Sequence, residues 1–213
     1  VLMSEMVRIS GRVNDLAGGL KVRRVLPAAV RRSVGPFVFF DHFGPVELPA
    51  AADSDIGPHP HIGLATVSYL FEGHLLHRDS LGNVQTISPG AINWMTAGRG
   101  ILHQEMPHGD KVGRMHGFQL WANLPSALKM TAPRYQDIKS ADIPVVVDDD
   151  GTSVRVISGN FWGKSGPVDG NGYRPMVLWR FTETNDKGRP VREVDVRPDR
   201  TIEKVTLYKN FDY

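Results

Sequence analysis

The chain contains no cysteine, which excludes disulfides, thiolate metal ligands and thiol redox chemistry and fits a reducing compartment. No apolar run approaches the length that spans a bilayer. The opening residues, Val1 to Met6, carry no basic-then-apolar segment of the signal-peptide kind. The expectation is a cytoplasmic protein with no membrane association. Neither sign of charge is in excess. A formal net charge of +2 argues against a dedicated nucleic-acid surface, although a local basic patch is compatible with it. Helical periodicity is missing from Thr66 to Glu105, where short strands and turns follow one another closely instead. With 213 residues, 41% hydrophobic and 23% charged, the chain is long enough for one large domain or two small ones with an ample core.

What is present is histidine in an uneven distribution. All eight lie between His42 and His116. Two pairs of candidate ligands have dipeptide spacing: His59 and His61 around Pro60, and His103 and Glu105 around Gln104. In extended chain, residues i and i+2 project from one face, so each pair points one way. If the two segments are neighbours, three imidazoles and one carboxylate converge on one point. The bland reading is histidines satisfied at strand ends by backbone carbonyls, and a single His-x-His would not exceed it. The second pair raises the odds of a metal site. Pro60 cannot donate to a ladder, so the first pair must lie on an edge, a bulge or a strand start. Three nitrogens and one oxygen anion suit a divalent ion of the iron, nickel, copper, zinc or manganese kind. Four ligands on a six-coordinate ion leave positions open, which describes a catalytic site rather than a structural one.

The runs HPHIGLATVSYLFEG and NWMTAGRGILHQEMP resemble the signatures of the pirin family, a branch of the cupin superfamily, and the similarity extends from about Gly18 to Gly170. The resemblance implies an all-β fold of two facing jelly-roll-like cupin barrels, with iron as Fe(II) held only in the first. Its metal ligands fall on His59, His61, His103 and Glu105. General cupins take their carboxylate from the first motif, but Gly63-Leu64-Ala65-Thr66 holds no acid, and Glu105 supplies it as in pirins. Ala65, where many relatives carry Glu, removes an acid near the site and is expected to widen the pocket. The domains expected are a metal-binding cupin barrel over 1–134 and a linker with a partial or divergent second half over 135–213. Past Gly170 the resemblance fades, and three expected strands remain: Met176 to Phe181, Val191 to Val196 and Ile202 to Tyr208. Three strands do not close a barrel. An uncovered sheet edge favours association, so a homodimer is expected.

Other strands are expected at Val7 to Val13, Leu20 to Leu26, Phe37 to Phe40, Thr66 to Phe71, His74 to Asp79, Val84 to Ile87, Ile92 to Met95, Ile101 to Glu105, His116 to Ala122 and Ser153 to Asn160. Pro45 to Pro58 reads as a long connection and Ser126 to Met130 as a short helical piece. His74 and His77, three apart, face opposite sides of a strand and read as surface or core histidines. His116 is the best histidine outside the four, without a ligand role. Asp148-Asp149-Asp150-Gly151 reads as a solvated turn rather than a calcium loop. Gly98 and Gly100 are expected to permit the backbone angles that swing His103 inward. Trp94 and Met95 are expected to pack the wall, one of them facing the cavity.

Two function classes follow from the resemblance. The first is a quercetin 2,3-dioxygenase-type enzyme, which opens a flavonol ring with O2 and releases carbon monoxide, with Glu105 as the catalytic base. The second is a non-enzymatic, iron-dependent regulator that binds a transcription factor or metabolic enzyme. In that case the basic stretch Lys21 to Arg32 is the feature to watch, its default reading being a solvated face.

Overall fold

The computed structural model describes residues 9–16, 20–48, 56–107, 113–147 and 153–170, together with the backbone of 192–196 and 202–207. The chain divides into two compact units, Val1–Ser140 and Ala141–Tyr213.

Among the described residues, the first unit has eleven strands: β1 (Arg12–Asp15), β2 (Lys21–Leu26), β3 (Phe37–Glu47), β4 (Ile56–His61), β5 (Leu64–Glu72), β6 (Leu75–Asp79), β7 (Val84–Ile87), β8 (Ile92–Thr96), β9 (Ile101–Pro107), β10 (Arg114–Asn123) and β11 (Arg134–Ile138). They form a seven-stranded sheet in the order β1-β2-β3-β10-β5-β8-β11 and a four-stranded sheet in the order β4-β9-β6-β7. Every pairing is antiparallel. β5 and β8 lie inside the larger sheet and read as nearly continuous apolar runs. Val67, Leu70, Ile92, Trp94 and Met95 are fully buried. One core cluster joins Leu20, Val22, Phe43, Leu48, Leu70, Ile87 and Met115, and a smaller one joins Met95, Ala97 and Ile101 beneath Tyr135. This is the cupin architecture.

Several boundaries differ from the sequence expectation. β3 runs through Gly44-Pro45 to Glu47, and β4 already begins at Ile56, so the expected connection from Pro45 is cut at both ends. The cause is tertiary. β10 offers a continuous partner, and its ladder passes from Gly117↔Phe43 to Met115↔Val46, leaving Gly44 and Pro45 as a bulge. Gly44 has φ +75°, and a Cβ there would sit 1.9 Å from the Met115 carbonyl oxygen, so glycine is what allows the strands to meet. The helical piece is only a 3-10 turn, Ser126–Leu128. β11 has no counterpart among the expected strands. Val7 to Arg8 lie outside the described residues.

In the second unit, β12 (Val145–Val147) pairs with β13 (Ser153–Arg155), β14 (Asn160–Phe161) with β15 (Lys164–Ser165), and β16 (Arg192–Val196) with β17 (Ile202–Leu207). Val154, Val156 and Phe161 form its core with Val146. The strand expected from Ser153 to Asn160 stops at Arg155. Gly159, at φ +79°, turns the chain out of extended conformation, and β14 starts a separate hairpin. The expected strand Met176 to Phe181 and the turn at 148–151 lie outside the described residues. Among the described residues no helix is long and apolar enough to cross a membrane.

Candidate metal centre

β4 and β9 are antiparallel neighbours with His59 directly opposite His103, and His61 follows two residues on along the same face. β4 is an edge strand of its sheet, which is where Pro60, in register with Leu102, can be accommodated without a ladder donor, and the register shifts just before it, between Ile56 and His59. At the turn before β9, Gly98 and Gly100 have φ of +52° and +140°. A Cβ on Gly98 would lie 2.1 Å from the Thr131 carbonyl oxygen.

The three imidazoles converge. Ring centroids are 4.4 Å apart for His59 and His103, and 4.9 Å for His59 with His61 and for His61 with His103. One ligand nitrogen from each lies within 4.8 Å of the others. His59 Nδ1 donates to the Gly57 carbonyl at 2.8 Å, so its lone pair is at Nε2, which faces His103 Nε2 at 3.0 Å. His61 Nε2 is buried without a partner among the described residues. Burial, with repulsion from His59, pushes the His61 imidazole down to about 4. Burial first, then His59, His61 and His77, pushes His103 down to about 2. Both are neutral at neutral pH, the state in which imidazole is a ligand.

Glu105 does not join that triad in one group. It falls in a second, fully buried group with His77 and His103, so His103 is the shared member. The Glu105 side chain is 4% exposed, and burial raises its carboxyl above the usual range against the opposing Ser68 hydrogen bond and the nearby His77 and His59. Ser68 Oγ donates to Glu105 Oε1 at 2.6 Å and also lies 2.7 Å from the Gln119 side-chain amide. One hydroxyl hydrogen cannot serve two acceptors. With Glu105 ionised, Gln119 therefore turns its N–H2 toward Ser68, and a chain Gln119→Ser68→Glu105 results.

Sequence reasoning assigned His77 no role beyond surface or core. It is fully buried, its Nε2 is 3.1 Å from Asp79 Oδ2, and its ring stacks on Tyr135 at 4.4 Å. Burial alone would raise the Asp79 carboxyl, but hydrogen bonds from Asn83, His77 and the Leu81 amide outweigh it and hold the group below its ordinary value. The missed signal was its spacing to Asp79, which is i and i+2. His74 is exposed and contacts Ser88 Oγ at 3.2 Å. His116 lies outside both groups and meets His42 at 3.0 Å.

His59 and His61 of the triad, with Glu105, line a cavity of about 320 Å3 that has a mainly apolar wall. Trp121 lines it, stacked on Phe39 at 4.1 Å and edge-on to His61 at 4.9 Å. Trp94 and Met95 are buried in the wall and neither reaches the cavity; Trp121 and Phe39 supply its aromatic surface. Ala65 is fully buried in β5 and does not itself line the cavity. Arg24, read from sequence as part of a solvated basic face, lies at this cavity, 4.5 Å over the Phe39 ring and in a two-pronged ion pair with buried Asp41 (2.9 and 2.8 Å). Lys21 pairs with Asp15 and Arg23 donates to the Gly11 carbonyl, so the three bases of β2 are each engaged.

The residues present fit a divalent transition-metal ion. Three imidazoles, two of them depressed well below their ordinary value, aim nitrogens at one point, one nitrogen is buried without any other partner, and a carboxylate is adjacent.

Two sheets enclosing an interior cluster of histidines and a carboxylate define a cupin barrel. Residues 19–122 match the family model described as Pirin, and through this barrel the chain belongs to the pirin family. It is 42% identical over 165 residues to a pirin-like protein of Caulobacter vibrioides, covering 76% of this chain and 58% of the relative. To human Pirin it is 43% identical, over 68% of this chain and 48% of that protein. The crystal structure of quercetin 2,3-dioxygenase from Acinetobacter baumannii superposes with a TM-score of 0.70 at 39% identity, covering 75% of this chain and 52% of that one. The chain thus spans about half the length of these relatives.

Proposed function

We propose that the barrel is a metal-dependent dioxygenase of the quercetin 2,3-dioxygenase type, with His59, His61, His103 and Glu105 holding one Fe(II). The observation that carries this is the histidine triad, two of whose members, His59 and His61, line a cavity of about 320 Å3 with an apolar and aromatic wall. A pocket of that kind buries a flat aromatic molecule and leaves its polar end to a few placed groups. When bound, the ion supplies a Lewis acid that makes a substrate hydroxyl easier to deprotonate, and a redox centre for O2.

The chain's own residues do the rest. Trp121 and Phe39 form a stacked face for the flavonol rings. Ser68 fixes Glu105 Oε1, leaving Oε2 to take the proton of the 3-hydroxyl group. The mainly apolar wall offers this proton few competing acceptors. In the overall reaction the flavonol and O2 give the ring-opened ester acid and carbon monoxide, which balances without a further reductant. A cytoplasmic setting accords with the absence of cysteine.

Arg24, a base of the stretch Lys21 to Arg32, is drawn to this cavity by buried Asp41, which favours this reading over a regulatory surface built on that stretch. The test is metal analysis of protein purified without added metal, then Fe(II) reconstitution and oxygen-electrode assays on a flavonol panel. Flavonol-dependent O2 uptake with carbon monoxide release is expected. Failure to take up any divalent ion, or no uptake of O2 with any flavonol, overturns the proposal.

A further inference from the structure

The ladder between β6 and β9 carries a carboxylate–imidazole pair for which the proposed chemistry has no use. Asp79 is the register partner of His103, and His77 that of Glu105, so all four share one face. Asp79 is fixed by the Leu81 amide at 2.9 Å, the Asn83 amide at 3.1 Å and the Asn83 side chain at 2.8 and 3.1 Å. A carboxylate so surrounded by donors only accepts. The His77 hydrogen that faces it is therefore on Nε2, and the lone pair of that ring is at Nδ1.

His77 Nδ1 is buried and has no partner among the described residues, and the same is true of His103 Nδ1. The two rings are 5.4 Å apart, and a ring nitrogen of each lies within 4.8 Å of the other. Across the His103 ring, Nε2 faces His59 Nε2 at 3.0 Å. His59 presents a lone pair there, so without a cation His103 must offer its hydrogen at Nε2. With a cation among the three nitrogens, His103 must carry its hydrogen on Nδ1 instead. In a dry interior that N–H needs an acceptor.

We propose that Asp79 and His77 are positioning residues for the metal centre. Asp79 holds His77 with its lone pair at Nδ1, and this lone pair accepts the His103 Nδ1–H, directly or through one buried water. The pair thereby selects the His103 tautomer that turns the Nε2 lone pair to the ion. The inference rests on the reading of the triad as a metal centre. The competing account makes His77 a core ring stacked on Tyr135, and it predicts no effect of Asp79 on metal affinity.

The test uses Asp79→Asn. This change keeps a carbonyl at Oδ1 for the Leu81 and Asn83 backbone amides and for the Asn83 side chain, which loses only its second bond to Oδ2. It turns an N–H2 toward His77 Nε2, which forces the His77 hydrogen onto Nδ1 and sets two donors against each other. Zn(II) affinity is measured by chelator competition in the parent, Asp79→Asn, His77→Gln and the double variant. Side-chain 15N NMR reads the tautomers of the parent, metal-free and Zn(II)-loaded. Expected are a roughly 10–100-fold weaker Zn(II) affinity in Asp79→Asn and no further loss when the change is added to His77→Gln. In the parent, His77 should be the Nε2–H tautomer throughout, and His103 the Nδ1–H tautomer when loaded. Unchanged affinity in Asp79→Asn, an equal loss in the His77→Gln background, or a parent His77 protonated at Nδ1 overturns the proposal. The NMR arm uses the parent alone, so it decides even where a variant does not fold. A parent that takes up no Zn(II) sinks the metal reading itself, a result distinct from a parent that binds and a variant that binds equally well.

Discussion

Lowering the pH should unfold the metal-free barrel through two particular side chains. His61 is pushed down to about 4 and His103 to about 2 from an ordinary value of 6.5, burial being the main cause in both. Both rings are harder to protonate in the folded barrel than in the unfolded chain. Unfolding therefore takes up protons below pH 6.5, and stability present above that value is lost as pH falls toward the folded values. At pH 5 the unfolded chain gains about 1.5 pH units of protonation free energy per ring, which at 1.36 kcal/mol per unit is about 2 kcal/mol for each. The pair accounts for a loss of about 4 kcal/mol between pH 7.5 and 5, a large share of the stability of a typical domain. The assay is urea unfolding, followed by tryptophan fluorescence with chelator present, of the parent and His103→Gln at both pH values. Comparing the pH-dependent loss in the two proteins cancels every other titrating group. The loss should be smaller by about 2 kcal/mol in the variant. Equal losses would refute the claim that this imidazole is buried neutral.

The other expectations concern the cavity, the ion pair and the turn. Glu105→Gln keeps the histidine triad, so divalent-ion affinity should fall by no more than ~10-fold while flavonol-dependent O2 uptake falls by ~100-fold or more; an oxygen-electrode rate equal to the parent's would exclude Glu105 as the base. Arg24→Met leaves Asp41, 4% exposed, without its partner and should cost about 3 kcal/mol in urea unfolding, most of it recovered when Asp41→Asn is added. Gly98→Ala and Gly82→Ala both place a side chain at positive φ, a strain of about 1–2 kcal/mol, but only Gly98 also meets a carbonyl oxygen, whereas Gly82 has open space. A larger loss of thermal stability at Gly98 is expected, and equal losses would show that the turn before β9 yields freely.

The convergence of His59, His61 and His103 was legible because dipeptide spacing in extended chain survives any uncertainty about where strands begin. It needed only that β4 and β9 be neighbours, and they are, while Glu105 falls in the adjoining group with His77. Boundaries were less legible where a partner strand overrides local punctuation, as at Gly44-Pro45, where β10 carries β3 through a bulge. Arg24 was hidden for a similar reason. Its sequence neighbours are bases, but its partner Asp41 lies across a ladder whose pairing local sequence does not specify. His77 is different, because nothing about its placement was beyond the rule already in use. The spacing that singled out His59 with His61 and His103 with Glu105 also holds for His77 with Asp79, and it is Asp79, not His74, that shares a face with His77. In this barrel the i, i+2 relation marks interior polar pairs on three strands in succession, β4, β9 and β6, and these are adjacent in the smaller sheet. Polar side chains so aligned on an inner face are costly unless they partner one another or an ion. The same pattern therefore marks both the proposed centre and the pair proposed to hold its ligands.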